Sequence, residues 1–193
     1  MRTGLIILLF QFTLWAGAHS QTLQSFTLPN ATSGGNISLS DYQGKKGLVI
    51  IFTSNYCPYS KLYDGRITQW VDTYNTAEVQ FLLINPNSKY HPEYESLEEM
   101  KSRASEKGYT VPYLSDADQV VANNLQATRT PEVFVMRKVG DSFRVVYRGA
   151  LDDNPQMASD VQNSYLTDAL EALVKGQPMP THQRATGCMI KKG

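Results

Sequence analysis

Cys57 is followed directly by Pro58 and stands between an apolar run and a stretch with helical spacing. That order puts a thiol where a strand gives way to the first turn of a helix. Proline suits that turn, because its missing N–H is one of the donors that a helix start leaves unpaired. The free amides and the positive end of the helix dipole favour a thiolate. Only the thiolate attacks a disulfide or a peroxide, so this placement is what thiol redox chemistry requires. Ser60, three residues on, is a candidate hydrogen-bond donor to the sulfur. The alternative for a free cysteine is a small buried hydrophobe. Polar Thr53, Ser54 and Asn55 just before Cys57 favour the reactive reading. Thr130-Pro131 opens a second apolar run, a place where a strand tolerates proline and where a cis bond would make a sharp turn.

The elements that must position these residues can be read along the chain. Residues 48–52 (Leu-Val-Ile-Ile-Phe) are a short, continuous run of branched and aromatic side chains, which predicts a buried central strand. After Pro58, Leu62, Ile67, Trp70, Val71 and Tyr74 recur at helical spacing, with Gly65 as a weak point. Residues 79–84 predict the next buried strand. Ser96 with Glu99 three residues later has the capping-box spacing, and Gly108 is a natural stop, so a helix is expected over 97–107. A short extended piece follows at 111–114, then a small helix opened by Asp116 or Asp118. Residues 133–136 and 143–147 flank Gly140-Asp141 as a hairpin. Leu166, Ala169, Leu170 and Leu173 close the domain with a last helix, and residues 26–29 make an edge strand at its start. The order β-α-β-α…β-β-α predicts an α/β fold, a mixed central sheet flanked by helices.

Composition narrows the function. The 193 residues carry 18 basic and 18 acidic side chains, so the formal net charge is zero, which excludes broad capture of nucleic acid or of an anionic membrane. Two cysteines and three scattered histidines exclude a disulfide-rich scaffold and a Cys₄ zinc site. Nothing in the sequence cradles a phosphate, and no Ser-His-Asp set is visible. Asp152-Asp153-Asn154 reads as a solvated acidic turn rather than a cation site. Tyr56, Tyr59, Tyr63 and Trp70 could rim Cys57, with Trp70 more at home in the core. Arg2, the apolar run 5–15 and small residues ending at Ser20 have the form of a secretory leader, too short to span ~30 Å of hydrocarbon. The expected organisation is a leader over 1–20, one domain over 21–176 and an extended tail over 177–193. The mature protein is then periplasmic or secreted, with no stable membrane insertion.

Four ordered segments carry a family resemblance: Asn55-Tyr56-Cys57-Pro58-Tyr59, Arg129-Thr130-Pro131-Glu132-Val133-Phe134, Tyr147 to Asn154, and Gly187-Cys188-Met189-Ile190-Lys191. Together with the entry strand and Leu39 to Lys45, they resemble the redoxin branch of the thioredoxin-like fold. The nearest likeness is to peroxiredoxin-like thioredoxin-family proteins of the alkyl hydroperoxide reductase/thiol-specific antioxidant type. The resemblance implies a thioredoxin-like fold with a redoxin-type N-terminal extension. It implies Cys57 as nucleophile, Pro131 as the facing cis-proline and Thr130 as the backbone partner of an extended substrate. It marks Tyr56, Pro58, Ser60, Thr130 and Pro131 as substrate-side residues. The chain departs from the family in two ways. Ser60 replaces thioredoxin's second cysteine, and Ile50 and Ser54 stand where the peroxiredoxin signature has proline and threonine. Cys188, on the tail, can replace the missing partner by looping back to Cys57. A static disulfide pinning the tail and an unpaired thiol are the other two arrangements. The function expected is thiol–disulfide exchange on protein thiols or disulfides, driven by an external thiol reductant and without a dissociable cofactor. Thiol peroxidase activity on hydroperoxides and a non-catalytic binding module are the alternatives.

Overall fold

The computed structural model describes residues 21–192; the leader expected over 1–20 lies outside them. The strands are β1 (Thr27–Pro29), β2 (Asn36–Ser38), β3 (Gly47–Phe52), β4 (Val79–Asn85), β5 (Tyr113–Ser115), β6 (Arg129–Thr130), β7 (Glu132–Val139), β8 (Ser142–Gly149) and β9 (Cys188–Met189). The helices are α1 (Pro58–Tyr74), α2 (Pro92–Glu95), α3 (Leu97–Lys107), α4 (Val120–Asn124) and α5 (Tyr165–Lys175). The main sheet has the order β5-β4-β3-β7-β8. β3, β4 and β5 run parallel, and β7 and β8 return antiparallel. This is the mixed sheet flanked by helices that the element order predicts, in the thioredoxin-like arrangement that the resemblance implies.

β3 is central because it can be. All six of its residues are buried, and its side chains alternate between two cores. Val49 and Ile51 face a cluster with Ile67 and Trp70 of α1, Met100 of α3 and Leu170 of α5. Leu48, Ile50 and Phe52 face the other, with Leu28 of β1, Val121 of α4 and Ile190 from the tail. Cys57 therefore follows a strand whose end is fixed from both sides. α3 starts as its sequence suggests: Ser96 Oγ accepts from Glu99 N–H at 3.3 Å, and Gly108 ends the helix with φ 66°. Among the described residues no helix is long and apolar enough to cross a membrane.

One expectation needs correction. Leu62 is exposed (49%), and the buried positions of α1 are Ser60, Tyr63, Asp64, Ile67, Trp70 and Val71. The polar pair sits on the inner face because both side chains have buried partners there, given below. The tail is extended but not loose. It lies along the domain, forms β9 and contributes Ala185 and Ile190 to the buried surface.

Candidate active site

Cys57 caps the N-terminus of the seventeen-residue α1 from an extended conformation, with Pro58 in the first turn. Its side chain is buried (2% exposed), and its Sγ lies 3.0 Å from the Thr130 carbonyl oxygen. Thr130-Pro131 is a cis peptide, which ends β6 and starts β7 facing the cysteine. Cys57 is joined to Cys188 in a disulfide, with 6.0 Å between the two Cα atoms. Cys188 stands in β9, which pairs antiparallel with β6: Arg129 faces Met189 and Thr130 faces Cys188. Ile190 N–H donates to the Thr128 carbonyl at 2.9 Å, and an Arg129 guanidinium N–H donates to the Gly187 carbonyl at 2.8 Å.

The tail fits this edge because two glycines let backbones touch. A Cβ on Gly187 would lie 2.3 Å from the Thr130 oxygen. A Cβ on Gly149 would lie 1.5 Å from the Gln183 oxygen, and Gly149 has φ 129°, which side chains disfavour. Ala150 N–H donates to Gln183 O at 3.0 Å, and Lys191 N–H donates to Asn87 Oδ1 at 2.9 Å. Gln119 Nε2 donates to Lys191 O. The tail is thus held before, at and after the disulfide.

The other flank of Cys57 is built from the interior. Glu95 of α2 is 1% exposed, and its carboxylate gathers four donors. Asn55 N–H donates at 2.8 Å, Tyr56 N–H at 3.0 Å and Asn85 Nδ2 at 2.7 Å, and the Ser54 hydroxyl donates as well. Asn55 in turn uses Oδ1 to accept from Tyr113 OH at 2.9 Å and from Arg103 Nη1 at 3.2 Å. Arg103 and Tyr109 both donate to Asp64 Oδ1, at 2.5 and 2.7 Å. Burial pushes the Tyr109 and Tyr113 hydroxyls well above the ordinary phenol range. The loop that presents Cys57 is therefore tied by buried polar bonds to α1, α2, α3 and β5.

A cavity of about 720 Å³ opens at the disulfide, lined by Tyr56, Pro58, His91 and Glu95 on one side and by Cys188 to Lys192 on the other. Tyr56 forms its exposed wall, stacked on His91 with 4.7 Å between ring centres and set against Tyr94 at 5.3 Å. Of the residues singled out in the sequence, Cys57, Cys188, Thr130 and Pro131 meet at one place, with Tyr56 and Pro58 at its mouth. Ser60 is buried, and its Oγ accepts from Ser54 N–H at 3.3 Å. Tyr63 points inward to Asp152, donating at 2.5 Å, and Arg66 donates to the same carboxylate at 2.6 Å. That spends Asp152 inside the protein, and Asp153 accepts from Gln162 and Asn163. Sequence reasoning missed Glu95, Arg103 and the His91–Tyr94 wall. Glu95 is one of four glutamates within residues 93–99, and nothing local separates the buried one from the solvated ones.

Residues 20–141 match the model of the AhpC/TSA family. No curated protein matches the chain. Among solved structures, an uncharacterized conserved protein from Geobacillus kaustophilus is 34% identical, with a TM-score of 0.81 over 90% of this chain and 92% of that one. A hypothetical protein from Sinorhizobium meliloti 1021 is 31% identical, with a TM-score of 0.80 over 90% and 94%. Peroxidoxin BcpB from Mycobacterium tuberculosis shares the fold at 17% identity, with a TM-score of 0.52 over 81% and 91%.

Proposed function

This chain belongs to the AhpC/TSA family, and we propose that it works as a thiol–disulfide oxidoreductase, with Cys57 as nucleophile and Cys188 as its intramolecular partner. One observation carries the reading: Cys188 faces Thr130 in an antiparallel ladder while bonded to Cys57. Strand addition presents a cysteine of an extended peptide to a nucleophile in just this way. The tail supplies that strand from within the chain.

The cycle balances as follows. The Cys57 thiolate attacks one sulfur of a substrate disulfide, and the first substrate thiolate leaves. The Cys188 thiolate then attacks Cys57 Sγ in the mixed disulfide, and the second substrate thiolate leaves. The Cys57–Cys188 disulfide remains, and two electrons have passed to the substrate. An external dithiol restores the pair by the reverse exchange, and no dissociable cofactor enters. The helix start at Cys57 favours its thiolate as both attacker and leaving group. Substrates are protein disulfides or thiols met outside the cytosol, where residues 1–20, read as a cleaved leader, would deliver the protein.

The test is to mix reduced Cys188→Ser protein with a disulfide-linked peptide. A mixed disulfide on Cys57 should accumulate in the variant, whereas wild type should close its own disulfide and release both peptide thiols. A variant that forms no adduct on Cys57 overturns the proposal.

The family match also favours a second reading, thiol peroxidase, in which a Cys57 sulfenic acid condenses with Cys188 and releases water. The geometry supports it less. Ser54 stands where the signature threonine would be, and its one hydroxyl proton is given to Glu95. Oxidation of Cys57 by hydrogen peroxide faster than by the peptide disulfide would reverse this order.

A further inference from the structure

A second cavity, of about 470 Å³, lies along the tail and shares Thr128 and Met189 with the cavity at Cys57. Three arginines from three segments line it: Arg129 of β6, Arg148 of β8 and Arg184 of the tail, with His182 beside them. One carboxylate, Glu132, stands among them and is already engaged. Its Oε2 accepts from Thr128 N–H at 2.7 Å and Arg129 N–H at 3.2 Å, and its Oε1 accepts from Arg148 Nη2 at 3.3 Å. Arg129 uses one guanidinium nitrogen on Gly187 O. The Arg184 guanidinium has no partner among the described residues. His182 Nδ1 accepts from Arg148 N–H at 3.2 Å, which leaves Nε2 as its donor. A concave site thus retains an excess of positive charge and unspent planar donors, the combination that takes phosphate or carboxylate oxygens bidentately.

We propose that this cavity binds a small oxyanion, and that binding is linked to the redox state of the cysteines. The link follows from the walls. His182, Arg184 and Met189 belong to the tail, so the complete site exists only with the tail docked. The Cys57–Cys188 disulfide pins that docking. A ligand that binds the docked form better must stabilise it by the same factor, and the disulfide must tighten the ligand equally. The binding half of the proposal stands apart from any thiol chemistry; the redox half rests on the cysteine pair being reversible as proposed above.

The experiment titrates inorganic phosphate, and separately succinate, into the oxidised and the reduced protein by calorimetry, with chloride at matched ionic strength as control. At least one of the two oxyanions should bind the oxidised protein, at least about fivefold more tightly than the reduced one. Saturating that anion should move the Cys57–Cys188 equilibrium against glutathione by the same factor, toward the disulfide. Arg184→Ala should weaken binding about tenfold while the disulfide still forms. Absence of binding by both anions, heats matched by chloride, or an Arg184→Ala variant that binds like wild type would each overturn the site. Equal affinity of oxidised and reduced protein would overturn the link. Failure of the peptide-disulfide test above would leave the calorimetric binding result standing, so the two proposals fail separately.

Discussion

The two flanks of Cys57 are both irregular segments, yet they are held in opposite ways. On one side, residues 53–56 hang from the carboxylate of Glu95, which is 1% exposed, and from the Asn55–Arg103–Asp64 network behind it. On the other, the tail is held by a two-residue ladder, two close backbone contacts at glycines, two buried side chains and the disulfide. Losing the first set leaves donors stranded in the interior, where the full desolvation penalty applies. Losing the second exposes backbone groups that water can satisfy. The loop that carries Cys57 is therefore part of the fold, and the tail is the part whose contacts water can replace. A cycling thiol pair needs that asymmetry: one sulfur fixed, and one able to leave and return.

The comparison breaks first at Glu95. Glu95→Ala strands four donors, from Ser54, Asn55, Tyr56 and Asn85, so a loss of about 3–5 kcal/mol is expected in denaturant unfolding of the oxidised protein. Glu95→Gln keeps one acceptor oxygen and should lose less. A Glu95→Ala protein as stable as wild type would mean the loop is no more built-in than the tail. Next comes Gly187→Ala. Its new Cβ would meet the Thr130 oxygen at 2.3 Å, so the β6–β9 pairing must shift. The Cys57–Cys188 disulfide should become about tenfold easier to reduce with glutathione, about 1.4 kcal/mol. The unfolding midpoint of the reduced protein should stay where it is. A reduced Gly187→Ala protein that loses as much stability as the oxidised one would make the tail permanent structure.

The same asymmetry sorts what could be read from the sequence. The frame was legible: a short, β-branched apolar run such as 48–52, flanked by Gly47 and polar 53–55, fits a buried strand best, and Ser96 and Gly108 bracket α3 by local chemistry alone. So was the meeting place, because Cys57-Pro58 and Thr130-Pro131 are local signals that the fold only has to bring face to face. The anchors were not. Glu95 binds Asn55 across forty positions, and its neighbours Glu93 and Glu98 have the same side chain with solvated roles. Leu62 shares the helical spacing of the inner residues, but Ser60 and Asp64 occupy that face through buried bonds instead. The docked tail carries a signal of its own. Ile190 is an isolated large aliphatic residue in a polar, proline-containing segment, and it is buried in the second core.

The smallest expected effect tests whether the buried flank speaks to the tail at all. Tyr113 is fully buried, and its hydroxyl donates to Asn55 Oδ1, which keeps a second bond from Arg103 if the first is lost. Tyr113→Phe should therefore cost only about 1 kcal/mol near neutral pH. Its pH dependence has a definite sign. Burial raises the folded-state pKa of this phenol above its unfolded value near 10. The neutral form is favoured by folding, so the contribution is complete below that pH and is lost as pH rises, by about 1.4 kcal/mol per unit for one proton. Wild type carries that loss and the phenylalanine variant does not. The stability gap between them should narrow above about pH 10 and reverse roughly one unit higher, as read from denaturant midpoints across that range. If the loop is a fixed part of the fold, the Cys57–Cys188 equilibrium with glutathione should be the same in both proteins at neutral pH. A several-fold change would mean that the Asn55 network reaches the disulfide, and the two flanks would then have to be treated as one device.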